Sequence, residues 1–160
     1  MTSPSLAISF ARADATRRAL LLEMMREFYA YEHLAWDEAV AGRGLDCILG
    51  DASLGEVWIV LADGEPAGYF VMALSFSLEF HGRYGFLDEL FLRERFRGGG
   101  IGRLAVQHAA EVCGAIGARA LRLEITATNP GARAFYDRLG FEDVGRTLLT
   151  KWIPSLPTDG

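Results

Sequence analysis

Between positions 97 and 103 the chain reads Arg97-Gly-Gly-Gly-Ile-Gly-Arg103, a run whose residue types suit one kind of chemistry. It leads into an apolar stripe at helical spacing: Ile101, Leu104, Ala105, His108, Ala109, Val112 and Ile116. A helix starting here exposes N–H groups with no intrahelical acceptor, and its dipole adds partial positive charge. Gly98, Gly99 and Gly100 let the backbone turn through positive φ and let a ligand approach without Cβ interference. Together they form a pocket for a phosphate or pyrophosphate, flanked by Arg97 and Arg103. Two nucleotide motifs fail the residues. A Walker A loop ends in Gly-Lys-Ser/Thr, whereas Gly102 is followed by Arg103. The dinucleotide form G-x-G-x-x-G, begun at Gly98, would place its third glycine at Arg103.

The elements that must position this loop follow from periodicity. Leu6 to Ala11 predicts a short strand, and Asp14 a helix cap ahead of Ala19, Leu22, Met25, Phe28 and Tyr29. A second helix is expected from Trp36 to Leu49, interrupted by Gly42 and Gly44. Glu56–Ala62 and Ala67–Leu74 alternate as strands about an Asp63-Gly64 hairpin turn. A polar, aromatic loop is expected from Ser75 to Arg83, then a strand from Gly85 to Leu92. The glycine-loop helix stops at Gly117, Ala120–Ile125 is the next strand, and Asn129-Pro130 caps and opens a further helix that Gly140 closes. Phe141 to Trp152 is expected to return to strand, with a tail from 154 to 160. Gly85 to Ile125 is thus a βαβ unit with parallel outer strands. The expectation is an α/β (α+β mixed sheet) fold in a single domain over residues 1–160, with its core from about 6 to 153.

Composition excludes several functions. With 160 residues, 51% of them hydrophobic, the chain can bury a core without metal or disulfide staples. Sixteen basic against 21 acidic side chains, a net charge of −5, argue against gripping nucleic acid. Only Lys151 is a lysine, so an anion site must be built from arginine or backbone. No apolar run approaches the ~20 residues that span a bilayer. The N-terminus has no secretory pattern, and Cys47 and Cys113 make no disulfide framework, so a cytoplasmic protein is expected. His33, His81 and His108 are scattered, which predicts no metal site.

Arg97-x-x-Gly100-x-Gly102 resembles motif A of the GCN5-related N-acetyltransferase (GNAT) family, which holds the pyrophosphate of acetyl-CoA in this way. Asp88-Glu-Leu-Phe-Leu92 looks like the family's fourth strand. Leu121-Arg-Leu-Glu-Ile-Thr-Ala-Thr-Asn129 and Ala134-Phe-Tyr136-Asp-Arg-Leu-Gly-Phe141 look like its fifth strand and the helix beyond. The resemblance covers roughly Glu56 to Phe141. It implies a GNAT-type fold: a splayed, mostly antiparallel sheet with a central parallel pair and flanking helices. The family's closing strands have little room between Phe141 and Trp152.

By the same resemblance the chain transfers acetyl from acetyl-CoA to a primary amine, of a small molecule or a peptide, by direct attack in a ternary complex. Main-chain groups of Leu90, Phe91 and Leu92 would pair with the pantetheine arm, aided by Asn129. The amides and flanks from Arg97 through Gly98, Gly99, Gly100, Ile101 and Gly102 to Arg103 would hold the pyrophosphate. Tyr136 would lie near the thioester sulfur and protonate the leaving thiolate. An acceptor ammonium must lose a proton before it attacks, which suits a carboxylate base, Glu89 ahead of Glu124. As structural residues, either would instead pair with Arg93 or Arg122. Asn129 reads equally as a helix cap, and Cys113 and His108 as helix packing. His33, Trp36, Asp37 and Glu38, with Phe76, Phe80 and His81, would frame the acceptor, and Glu79, Asp88, Glu89 and Glu124 suggest that it is cationic. No membrane or nucleic-acid partner is implied, and a homodimer is left open. The alternative is a catalytically silent acyl-CoA sensor with the same fold.

Overall fold

Alternating side chains along two long strands divide the molecule into layers. The structure, a computed structural model, describes residues 5–154. Five strands form one sheet in the order β1-β2-β3-β4-β5: β1 Ile8–Arg12, β2 Gly55–Ala62, β3 Glu65–Ser77, β4 Gly82–Leu92 and β5 Leu121–Arg122. The first four pair antiparallel, and β5 lies parallel to β4. The helices are α1 Arg18–Tyr31, α2 Glu38–Gly50, α3 Ile101–Ala115 and α4 Pro130–Arg138. Two compact units result, one up to Thr126 with the sheet and α1–α3, the other from Ala127 onward with α4.

Val57 and Ile59 of β2, Tyr69 of β3 and Phe91 of β4 face α1 and α2, where they pack with Leu21, Met24, Met25 and Leu45. The intervening residues face α3. Trp58 and Phe70 meet the His108 ring, itself stacked on Phe10 at 4.3 Å, and Met72 meets Cys113. His108 and Cys113 are therefore packing residues, as their helical spacing predicts. Cys47 is exposed on α2.

Local chemistry sets the boundaries. Asp14 caps a short 3₁₀ turn (Ala15–Arg17) that runs into α1, and the Asp37 carboxylate accepts from Ala39 and Val40 N–H to start α2. The Asp63-Gly64 turn has φ of 49° and 78°, as a tight hairpin requires. Three expectations change. The β3–β4 hairpin extends to Ser77 and Gly82, so the expected loop of Ser75–Arg83 shrinks to residues 78–81. The fifth strand shortens from Ala120–Ile125 to two residues. No strand forms from Phe141 to Trp152: Gly145 takes φ of 71° and its N–H bonds the Asp143 carboxylate at 2.8 Å, a turn that breaks the extended run. The parallel pair consequently stands at the edge of the described sheet rather than in its centre. The expected tail from 154 onward lies, but for Pro154, outside the described residues.

Gly68 marks a close backbone approach between β3 and β4. A Cβ there would overlap the Phe91 carbonyl oxygen and lie 3.0 Å from Leu92 Cα, backbone atoms that cannot swing aside as the nearby Leu92 Cδ2 could. Gly68→Ala is expected to cost about 1–3 kcal/mol and to lower Tm by several degrees in thermal unfolding. An unchanged Tm would show that the two strands are not clamped at this point.

Candidate active site

The glycine run forms the turn into α3. Gly98 and Gly100 adopt φ of 79° and 81°, with Gly100 as the N-cap. The first helical hydrogen bond runs from Leu104 N–H to the Gly100 carbonyl at 3.3 Å. Among the described residues, the amides of Ile101, Gly102 and Arg103 have no backbone acceptor. A Cβ built on Gly98, Gly99 or Gly100 meets nothing within 4 Å, so open space lies over the turn. The Ile101 side chain is buried and anchors the helix, which leaves its N–H as the group available to a ligand. Arg103 is exposed on the first turn. Arg97 is committed elsewhere: its Nε donates to the Leu92 carbonyl at 2.8 Å, and its guanidinium lies 4.0 Å from the Tyr31 ring centroid. It clamps the loop to the end of β4 and to α1.

Beside the loop the sheet opens. β4 and β5 pair only at Gly85↔Leu121 and Phe86↔Arg122. Beyond Phe86, β4 keeps β3 on one side and has no strand on the other among the described residues. Arg93 N–H bonds the Ala67 carbonyl of β3. By strand alternation, Leu92 and Leu90 turn their backbone groups to the open edge and Phe91 turns its own to β3. The Arg97 bond to the Leu92 carbonyl fits this alternation. Where the strands part, Phe86, Leu87, Asp88, Glu124, Ile125 and Thr126 line a cleft of about 280 Å³. Glu124, expected on a strand, is an exposed residue of this wall.

A one-residue bulge decides where the neighbouring carboxylates point. Val71 pairs with Glu89 but Met72 pairs with Leu87, so Asp88 is the extra residue of β4. Leu87, opposite Met72, lies on the α3 side. Without the bulge Glu89 would share that face. Instead it lies on the α1–α2 side, where the Tyr69 hydroxyl donates to it at 2.7 Å and the Tyr29 hydroxyl at 3.2 Å. Burial raises the Glu89 carboxyl above its usual range, against the opposing effect of the two phenols, and Asp88 adds a smaller upward push. Burial also raises Asp88. The phenols rise in turn, chiefly by desolvation and then by the Glu89 charge: Tyr29 to about 12, and Tyr69 further.

Neither structural pairing considered for the carboxylates forms. Arg93 bonds Glu23 and Glu27 of α1, and Arg122 stacks over Phe80 and Tyr84. Of the residues expected around the acceptor, Trp36 packs edge-on against Tyr29 with centroids 5.3 Å apart. Asp37 caps α2, Glu38 pairs with Arg26, and Phe76 is exposed. Tyr29 and Tyr69 were not singled out by the sequence as site residues. Their helix and strand patterns read as core, and only the bulge reveals their target.

In the second unit, the Asn129 side-chain oxygen accepts from Ala132 N–H at 3.0 Å, capping α4. Tyr136 is half-buried between the Phe135 and Phe141 rings, and burial raises its hydroxyl above the usual phenol value. Among the described residues no group of three His, Cys, Asp or Glu side chains can hold a metal ion, and no helix is long and apolar enough to cross a membrane.

Residues 17–141 match the acetyltransferase (GNAT) family. The thialysine N-epsilon-acetyltransferase of Bos taurus is 29% identical over 140 residues, 78% of each chain. An integron cassette protein from the mobile metagenome of Cole Harbour Salt Marsh superposes with a TM-score of 0.82 at 33% identity, covering 92% of this chain and 91% of that one. The aminoglycoside N-acetyltransferase AAC(6')-Iy, solved in complex with CoA, has the same fold, with a TM-score of 0.77 at 15% identity over 95% of this chain and 99% of that one. The glycine turn, the parted strands and this match over most of the sequence lead to one assignment: the chain belongs to the acetyltransferase (GNAT) family and is an acetyl-CoA-dependent N-acetyltransferase.

Proposed function

We propose that the protein acetylates a cationic primary amine by direct attack in a ternary complex, with Glu89 as base and Tyr136 as acid. The observation that carries this reading is a half-buried carboxylate with no ion-pair partner among the described residues, on a strand whose edge is open beside a helix N-terminus. The acceptor-free amides of Ile101, Gly102 and Arg103 and the open space over Gly98–Gly100 fit a pyrophosphate, held by backbone where lysine is lacking. The outward backbone groups of Leu90 and Leu92 fit the amide-bearing pantetheine arm, as an added strand would. The Asn129 oxygen caps α4, which leaves its side-chain NH₂ as a donor.

Bound acetyl-CoA supplies a thioester whose carbonyl carbon gains a C–N bond to the amine as its C–S bond breaks. Glu89 takes one proton from the incoming ammonium, directly or through water, which frees the nitrogen lone pair. Tyr136 gives its hydroxyl proton to the departing thiolate and is reprotonated by the second proton shed from the acylated nitrogen. The sum is amide, free CoA and one proton released from Glu89 to solvent. Burial suits both groups: a raised phenol stays protonated until needed, and a raised carboxyl is a stronger base than an exposed one. Asp88, Glu89 and Glu124 make the surroundings of the cleft acidic, and no arginine or lysine forms an ion pair with any of them among the described residues. An ammonium is the charge this leaves room for.

Calorimetry with acetyl-CoA, followed by thiol release with polyamines, aminoglycosides and amino acids, tests the reading. Absence of binding removes it, and binding without thiol release from any amine turns the protein into a sensor. Preference for anionic acceptors contradicts the charge argument. Tyr136→Phe is expected to lower kcat about tenfold or more with the Kd for acetyl-CoA unchanged. Glu89→Gln is expected to lower kcat/KM for the amine by about 10²–10⁴-fold and to remove the acid limb of the pH profile. Because folding raises the Glu89 carboxyl, that group loses native stability as pH rises through its folded value. The Tm of Glu89→Gln at pH 7 should therefore equal or exceed that of the parent, and a fall would assign Glu89 a structural role.

A further inference from the structure

Two phenol hydroxyls converge on one carboxylate from different layers of the fold. Tyr69 projects from β3, its side chain wholly buried, and reaches Glu89 Oε2 at 2.7 Å. Tyr29 projects from α1, half-buried, and reaches Oε1 at 3.2 Å. Each carboxylate oxygen thus accepts one bond, and each hydroxyl has the same acceptor residue. The titratable groups acting on Glu89 are the neutral phenols of Tyr69 from β3 and Tyr29 from α1, which donate to it, and the Asp88 carboxylate of its own strand. Among the described residues no arginine, lysine or histidine forms an ion pair with it. At this half-buried position the two phenol dipoles, with solvent, ease the charge in place of a cation.

An ionised carboxylate accepts at both oxygens, whereas a protonated one turns one oxygen into a donor. Protonating Glu89 must weaken or reverse one of the two phenol bonds. The buried partner at shorter distance resists this more than the half-buried one. Ring packing fixes both hydroxyls: Tyr69 against Phe91 and Phe28, and Tyr29 against Phe28 and Trp36. The Trp36 contact carries the α1–α2 connector into the same assembly.

We propose that Tyr69 and Tyr29 are positioning residues that hold the Glu89 carboxylate ionised and aimed, and so set the lower pH limit of the acetyl transfer. This inference rests on Glu89 being the base, so its test needs a measurement that does not depend on turnover. Protein carrying ¹³C-labelled glutamate is titrated by NMR, the Glu89 carboxyl signal being the one lost in Glu89→Gln. Tyr69→Phe is expected to raise the midpoint by about one pH unit, and Tyr29→Phe to raise it by less. The acid limb of kcat/KM should move upward by the same amounts, so that activity below the midpoint falls about tenfold in Tyr69→Phe, with KM for acetyl-CoA unchanged.

The outcomes separate cleanly. Unmoved midpoints in both variants overturn the positioning inference, whatever Glu89 does in catalysis. Midpoints that rise while the acid limb stays fixed overturn Glu89 as base, and with it the link to turnover. Parallel movement of both supports the proposal. If the buried Tyr69→Phe variant fails to fold, Tyr29→Phe alone decides, because its hydroxyl sits at a half-buried position and its removal leaves the ring contacts in place.

Discussion

Backbone groups on β4 beyond Phe86 have β3 on one side and, among the described residues, no strand on the other, and the candidate site is arranged around that open edge. Unpaired N–H and C=O groups in a half-buried place cost free energy unless water or a ligand meets them. An exposed strand edge is also a template for unwanted pairing. Here the edge is only a few residues long. It ends where Arg97 turns back to bond the Leu92 carbonyl, and it is bounded at its other end by the two-residue parallel pair. A longer β5 would close the gap. The brevity of that strand is therefore what leaves this stretch of β4 open.

The bulge at Asp88 adds a second consequence at the same strand. One extra residue reverses the facing of everything beyond it, so that Leu87 serves the core under α3 while Glu89 and Phe91 serve the opposite layer. A carboxylate is thereby placed among aromatic rings without a cation, a position that burial alone makes unfavourable for the charged form. The compensation is dipolar rather than ionic. An ion pair in the same place would tie the carboxylate to a fixed cation and lower its basicity. Phenols ease the burial without tying the charge to a cation.

Much of this was legible in the residue order, and the reasons differ by element. The turn into α3 could be read because glycine at Gly98 and Gly100 answers to a backbone requirement, positive φ, that is visible residue by residue. The caps at Asp14 and Asn129 are similarly local. Pairing is not local. The strand expected from Phe141 to Trp152 has suitable side chains, including Val144 and Trp152, but a strand exists only with a neighbour, and Gly145 turns the chain first. The shortening of β5 escaped for the same reason, since Leu121 to Ile125 alternates well whether or not β4 continues beside it. The phenols of Tyr29 and Tyr69 stayed hidden because their targeting depends on a register shift between Val71 and Met72 that no single-strand pattern encodes.

The arginine-rich composition is put to structural use around this site. With one lysine in the chain, the cations nearest the loop in sequence are Arg93, Arg95, Arg97 and Arg103, of which Arg95 pairs with Glu65. Arg93 is spent on Glu23, Glu27 and the Pro66 carbonyl, which fastens α1 to the end of β4. Arg97 is spent on a carbonyl and the Tyr31 ring. Both choices use what a planar guanidinium does better than an ammonium: several directed hydrogen bonds at once, or stacking on an aromatic face. The helix that carries Tyr29 is thus held against the strand that carries Glu89 by fixed, geometry-specific contacts. Arg103 is exposed on the first turn of α3, beside amides whose direction the glycine turn sets in advance.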